Sequence, residues 1–245
     1  MLESFLVAFK SQSNYLNWGR AIIRRWSLEA AQDKSELRVL DVGCGDGDDI
    51  VNFKNDLAEK NIAVSYYGLD MLESHRSAAE AKGIKLSLIN LETDVFPYEN
   101  NFFDLIIINQ VLEHLKEFFF IASEMNRVLK PGGRLIIGVP NLASWHNRLL
   151  LLFGRQPTSI RLLGPHVRAY TKESLEKTLS QYGGFTLERF AGSNFYPWPA
   201  PLAKLLARIF PNSAVSIFLA FKKTGPASFE KFLATGLETN FKTPA

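Results

Sequence analysis

The residues best suited to chemistry crowd into Arg38 to Ile50, RVLDVGCGDGDDI, with glycines at 43, 45 and 47 and aspartates at 41, 46, 48 and 49. Glycines at a strand-to-helix turn permit positive φ and let a ligand approach the backbone closely. Open parallel sheets bind ligands outside the carboxyl ends of their strands. The spacing here is G-x-G-x-G, without the G-x-G-x-x-G phosphate fingerprint. Asp46, Asp48 and Asp49 occupy the helix N-terminus that a pyrophosphate would need. A ligand with a cationic portion therefore suits the turn better than a phosphate, and Asp41 at the strand end is positioned to help receive it. At least one of Asp48 and Asp49 is also expected to cap the helix.

Further polar groups fall at the ends of later strands. Asp70 closes YYGLD, 25 residues after Gly45. An acid there can accept hydrogen bonds from both hydroxyls of an adenosine ribose, while Met71 offers an apolar face to a ring. Capping the following helix is the simpler alternative for Asp70. Asn90, Leu91 and Glu92 close a third strand where an adenine edge would lie, and Asn109 and Gln110 close a fourth. Glu113 and His114 follow in VLEHL, at the mouth of the same crevice. His114 is a candidate base or a structural hydrogen-bond partner. Cys44, inside the turn, reads as a packing residue of the cradle and not as a nucleophile.

The elements that must hold these residues alternate in type. VLDV, VSYYGLD, IKLSLI, FFDLIII and RLIIGV read as strands, separated by helices at 51–60, 71–83 and 115–130, the last ended by Pro131 and Gly132. That alternation, with several strands apolar on both faces, predicts an α/β, Rossmann-like, doubly wound and mostly parallel sheet. A leading helix over 14–31 should cover a sheet edge or a pocket, although Gly19 weakens its early turns. After Asn141 the rhythm breaks: a helix over 141–154, a loop through Pro157, Gly164 and Pro165, a helix over 171–184 with Thr171 as N-cap, and a Pro-bounded amphipathic helix between strands FTLERF and AVSIFLAF. The expected organisation is an N-terminal helical cap over 1–35, a ligand-binding core over 36–141, acceptor-side helices and the last strands over 142–223, and a tail over 224–245.

Composition excludes several classes. At 245 residues, 47% hydrophobic and 22% charged, the chain fits one globular unit without extensive disorder. A single cysteine rules out an internal disulfide and any multi-cysteine zinc cluster. MLESFLVAFKSQSNYLNW lacks the basic and apolar regions of a secretion signal, and Leu149 to Phe153 is far short of the roughly 20 apolar residues that span a bilayer; a cytoplasmic protein is expected. The net charge of +3 conceals an asymmetry: 15 basic against 20 acidic residues up to position 140, and 13 against 5 beyond it. An anionic partner is therefore sought in the second part.

Taken in order, VLDVGCGDG, YYGLD, FFDLIIINQVLEHL and LKPGGRLIIGVPN resemble the class I S-adenosylmethionine-dependent methyltransferases, of the type 11 or type 12-like kind, over about residues 36–141. The resemblance implies a seven-stranded sheet of order 3-2-1-4-5-7-6 with strand 7 antiparallel. It further implies that S-adenosylmethionine is bound and S-adenosylhomocysteine released, with no metal. Carried over, Asp41, Gly43 and Gly45 would contact the methionine portion with Cys44 in the same turn. Asp70 would contact the ribose, and Met71 and Leu91 the two faces of the adenine. Asn109 would lie at the methionine end with Gln110 nearby. Many relatives carry aspartate where this chain has Asn90, which leaves adenine recognition to backbone groups, Glu92 or the amide itself. A sulfonium with an α-ammonium meets the demand for a cation made by the turn.

The acceptor side is sought in the additions to the sheet. Trp145, His146, His166, Arg168 and Tyr170 are the residues expected near an acceptor: His166 as preferred base, Arg168 steering a carboxylate or phosphate, Tyr170 orienting it. A clamp on the Thr171 helix is the plainer role for Arg168. The apolar and basic second part suits a small, anionic or lipid-like acceptor, peripheral membrane contact or a homodimer surface. Nucleic acid is disfavoured, because there is no dense Lys/Arg stripe and no polar-proline-aromatic signature of base-amine methylation. Methyl transfer to oxygen or nitrogen is the expected reaction. A non-catalytic S-adenosylmethionine-binding subunit and a methyltransferase acting on a macromolecule are the alternatives.

Overall fold

The computed structural model describes residues 15–230. The first 14 residues of the expected cap, with most of the run weighed as a secretion signal, and the tail from residue 231 lie outside them. Strands β1 (Glu36–Val42), β2 (Ala63–Asp70), β3 (Ile84–Leu88), β4 (Phe103–Asn109), β5 (Leu129–Pro140), β6 (Phe185–Ser193) and β7 (Ser216–Lys223) form one sheet of order β3-β2-β1-β4-β5-β7-β6. β7 runs antiparallel to both its neighbours, and β1 to β5 pair in parallel. The order, and the single antiparallel strand, are those the resemblance implies. Asp41 pairs with Gly68 on one side and Ile107 on the other, so the carboxyl ends of β1, β2 and β4 form a common rim.

β4 shows why the sheet is central. Its residues from Phe103 to Ile108 are all buried, with Ile106 and Ile108 in one core cluster and Leu105 and Ile107 in the other. Period-two alternation feeds both faces, as a strand covered on both sides requires. Helices α1 (Tyr15–Ala30), α2 (Asp48–Glu59), α3 (Arg76–Ala81), α4 (Phe118–Val128), α5 (Trp145–Leu152), α6 (Lys172–Gln181) and α7 (Ala200–Ile209) complete the chain. α1 buries Ile23, Trp26 and Ala30 in the cluster that holds Phe53 and Phe218. Gly19 is what lets it approach: a Cβ there would lie 2.5 Å from the Phe218 ring.

Several expected boundaries move. The helix expected over 71–83 is a 3₁₀ turn at Glu73–His75 followed by the short α3. Residues 115–117 stay outside the following helix, which begins only at Phe118, and Glu113 and His114 sit in a separate 3₁₀ turn, Leu112–His114. β5 starts at Leu129, five residues before the expected strand, because a residue preceding proline is pushed out of the helical region. α5 starts at Trp145, so 141–144 are not helical. At α6 the Thr171 hydroxyl accepts from Ser174 N at 3.1 Å and Ser174 Oγ accepts from Thr171 N at 3.0 Å, a reciprocal cap.

Asp104 ties the entrance of the sheet together. Its buried carboxylate accepts from Lys34 Nζ at 2.8 Å, Lys130 Nζ at 3.0 Å and Arg38 N at 3.0 Å. Burial would raise this carboxyl, but the three donors outweigh it and hold it below the ordinary range. A depressed carboxyl contributes stability above its unfolded pKa and loses it as pH falls through the folded value. Asp104→Asn should therefore lower stability by about 2 kcal/mol at neutral pH. Urea unfolding curves should show the gap to wild type narrowing as pH falls toward roughly 3.

Candidate active site

The turn after β1 is built by hooking its amides onto the neighbouring strand. Gly43 N and Cys44 N both donate to Leu69 O, at 2.8 and 3.0 Å. Gly43 has φ +71°, and a Cβ there would lie 2.5 Å from Val111 Cγ2. A side chain at Gly45 would meet nothing within 4 Å, so this residue turns an open backbone face outward. Its N–H donates to Asp70 Oδ2 at 2.8 Å, while Asp70 Oδ1 accepts from Leu72 N at 2.9 Å and faces His75 Nδ1 at 3.2 Å. Asp70 thus joins the two turns instead of choosing between the two expected roles. Burial works to raise it, yet these contacts together hold it below the ordinary carboxylate range.

Asp41 has the opposite balance. It is 2% exposed, and its Oδ2 has no hydrogen-bond partner. Burial first, then the charges of Asp49 and Asp70, push it well above the usual carboxylate range. The helix-terminal acids are already answered. Arg20 Nε donates to Asp49 Oδ1 at 3.0 Å, Asn109 Nδ2 donates to Asp49 Oδ2 at 2.8 Å, and Asp48 pairs with Arg20 at 3.2 Å and Lys82 at 2.9 Å. Neither aspartate caps α2; its N-cap is Gly47 at φ +81°, and both acids stand in the first turn. The expectation that one of them caps the helix is thus corrected, and of Asp41, Asp48 and Asp49 it is Asp41 that keeps a buried oxygen unanswered. Arg20 and Lys82 were missed because each lies about thirty residues from its partner in sequence, outside any local pattern.

The remaining cradle residues divide. Met71 is 65% exposed beside Asp70 and presents an open apolar surface. Leu91 is buried in the core cluster with Leu69 and Leu112. Asn90 closes its own turn: its Oδ1 accepts from Glu92 N at 3.0 Å and its N–H donates to Asp94 Oδ2 at 2.9 Å. Gln110 takes φ +56° and donates its backbone N–H to Gly138 O at 2.8 Å, while its Nε2 and Asn109 Oδ1 are buried without partners. Cys44 packs against Gly68, where a Cβ would come within 2.5 Å of its sulfur, and burial pushes its thiol far up. A protonated, packed thiol is a poor nucleophile.

A second group assembles three residues beyond Gln110. Val167 N and Arg168 N donate to Glu113 O at 2.8 and 3.2 Å, laying the 165–170 segment on the 112–114 turn. This sets the His114 and His166 rings edge to face with centroids 4.8 Å apart. Glu113 beside them is 2% exposed, its Oε2 has no partner, and burial pushes it up to about 7. Glu113 was noted only as a crevice-mouth residue; no sequence spacing announces its meeting with His166.

The other expected acceptor residues are bound elsewhere. Tyr170 is buried against Phe118 and its hydroxyl donates to Leu112 O at 3.2 Å, so it positions the turn and does not present its hydroxyl to an acceptor. Arg168 Nε donates to Lys116 O at 2.9 Å, clamping the approach to α4. Trp145 Nε1 donates to Tyr196 O at 2.7 Å, and the His146 ring packs on Tyr196 and bonds Thr158 Oγ1 at 2.8 Å. Thr158 and Ser159 link this layer to His166, whose Nδ1 bonds Ser159 O at 2.8 Å.

A family model described as a methyltransferase domain matches residues 15–188. Among curated proteins, the ubiquinone/menaquinone biosynthesis C-methyltransferase UbiE of Shewanella sp. (strain ANA-3) is 29% identical over 117 residues, 46% of this chain and 47% of that protein. The chain thus spans about half the length of the curated relatives it matches. Among solved structures, the fold is shared with the CurJ carbon methyltransferase, at TM-score 0.59 and 19% identity over 84% of this chain and 54% of that one. It is also shared with a SAM-dependent methyltransferase from Aquifex aeolicus, at TM-score 0.54 and 17% identity over 82% and 89%.

Tyr170→Phe should remove one of two hydrogen bonds to the buried Leu112 carbonyl, which keeps Leu115 N at 3.2 Å, and lower stability by about 1 kcal/mol. Thermal unfolding measures this; a full loss of turnover with unchanged melting would instead return Tyr170 to the chemistry.

Proposed function

The chain belongs to the methyltransferase-domain family, and from that premise we propose that it is an S-adenosylmethionine-dependent methyltransferase acting on a carbon atom of a small acceptor with an apolar tail. The observation that carries the cofactor assignment is Asp41, a buried carboxylate with an unpartnered oxygen at a glycine turn. Such a group calls for positive charge, which the α-ammonium of the cofactor supplies. Asp70, held ionised by backbone donors, keeps lone pairs for the ribose diol. Met71 offers the apolar surface for the adenine. Once bound, the cofactor brings an activated methyl group on a sulfonium.

The chain's task in transfer is alignment and exclusion of water, with proton removal where the acceptor needs it. We assign acceptor activation to Glu113 and His114, which follow the β4 end at Asn109, and to His166, which the 165–170 segment docks beside them. A carbon nucleophile is supported by the names of the curated relatives, C-methyltransferases of ubiquinone and menaquinone biosynthesis. Nothing favours the oxygen or nitrogen acceptor expected from sequence. The apolar tail is supported by exposed Leu151, Leu152, Phe153, Leu162 and Leu163, interspersed with Arg148, Arg155 and Arg161. No described helix is long and apolar enough to cross a membrane.

Asp70→Ala should weaken S-adenosylmethionine binding by roughly tenfold or more in calorimetric titration; unchanged affinity rejects the ribose assignment. Incubation with methyl-¹³C cofactor and fractionated metabolites, followed by NMR of the product, should give a carbon-bound methyl on an apolar molecule. A methyl on oxygen or nitrogen overturns the carbon assignment.

A further inference from the structure

We propose that Glu113, His114 and His166 form a binding site for one divalent transition-metal ion, although neither the sequence nor the family resemblance calls for a metal. One ligand atom from each of the three lies within 4.8 Å of the others. A tetrahedral ion holds its ligands roughly 3.3 Å apart, so a modest turning of side chains closes the set.

Three features make the cluster more than a meeting of polar groups. The His166 Nδ1 bonds the Ser159 carbonyl at 2.8 Å and the His114 Nδ1 lies 3.3 Å from the Pro165 carbonyl. A carbonyl only accepts, so each Nδ1 carries the hydrogen and each Nε2 keeps its lone pair, the tautomer in which protein histidines bind metals. Glu113 is almost fully buried, yet one of its oxygens has no donor. An unpaired buried carboxyl oxygen with a ring nitrogen of each histidine within 4.8 Å can be answered by a cation. His114 is exposed at the rim, which gives an ion a way in from solvent.

The donor set selects the ion. Two imidazoles and one carboxylate suit Zn²⁺, Fe²⁺, Co²⁺ or Ni²⁺ over Mg²⁺ or Ca²⁺, which favour oxygen. Three protein ligands leave positions open, as in metal sites that act on a bound oxygen. An ion here would hold an oxygen of the acceptor, so His166 acts as a ligand in place of direct proton abstraction. That last point rests on the acceptor reading above; binding of the ion itself does not.

The test is a Co²⁺ titration of the untagged, chelator-treated full chain, followed by visible absorption and calorimetry, without cofactor or acceptor. The expected result is saturation at one ion per chain with absorption bands of nitrogen- and oxygen-ligated cobalt. His166→Ala and Glu113→Gln should each weaken binding by at least about tenfold, since losing even an outer partner of a ligand costs that much. Absence of stoichiometric binding, or binding unchanged in His166→Ala with an intact circular dichroism spectrum, overturns the proposal. If Glu113→Gln fails to fold, His166→Ala and His114→Ala carry the comparison. A chain that binds Co²⁺ but transfers no methyl to any carbon keeps the metal site and loses the acceptor reading.

Discussion

Repulsion among carboxylates at the rim of the sheet is the constraint that organises this molecule. Asp41, Asp49 and Asp70 converge on one glycine turn, close enough that the latter two add to the rise that burial imposes on the first. Each finds a different remedy. Asp70 takes backbone N–H groups from both turns it joins, and Asp49 takes Arg20 and Asn109. Asp41 finds no protein donor for its second oxygen, the unmet demand on which the proposed binding of a positive group rests.

This remedy gives the accessory elements a function beyond coverage. Helix α1 reaches the site through Arg20, and it packs closely because Gly19 admits the ring of Phe218 from β7. The last strand inserted into the sheet thereby helps position a cation over the first loop. Coupling of this kind ties a peripheral helix to the charge balance of the cradle. It also shows why the helix-terminal aspartates do not simply add to the ligand's field: Arg20 and Lys82 have already spent their charge on them.

On the acceptor side, backbone does most of the positioning. Amides of 167 and 168 on the Glu113 carbonyl, the Tyr170 hydroxyl on Leu112 O and the Arg168 guanidinium on Lys116 O fasten a segment without regular structure onto the 112–114 turn. Two residues expected to meet substrate act as fasteners, and their work brings His166 to His114 and Glu113. The meeting of Glu113, His114 and His166 is thus fixed largely by contacts outside their own side chains.

The alternation of apolar runs and helical periods was enough to read a doubly wound sheet, because burial on both faces leaves a nearly continuous apolar run, as along β4. The glycine spacing, the acid closing β2 and the order of the blocks likewise pointed, from local patterns, to the rim where Asp41, Gly45 and Asp70 meet. Boundaries were less legible where a separate 3₁₀ turn precedes a helix, as before 115–117, and where proline follows, as at 129–130. What the chain alone could not disclose is which charges are already paired and which polar groups meet. Arg20 with Asp49, and His166 with Glu113, are joined by the closing of the sheet and the docking of a loop. Such pairings depend on three-dimensional distance, and electrostatic and ligand-binding energies follow that distance, not separation along the sequence.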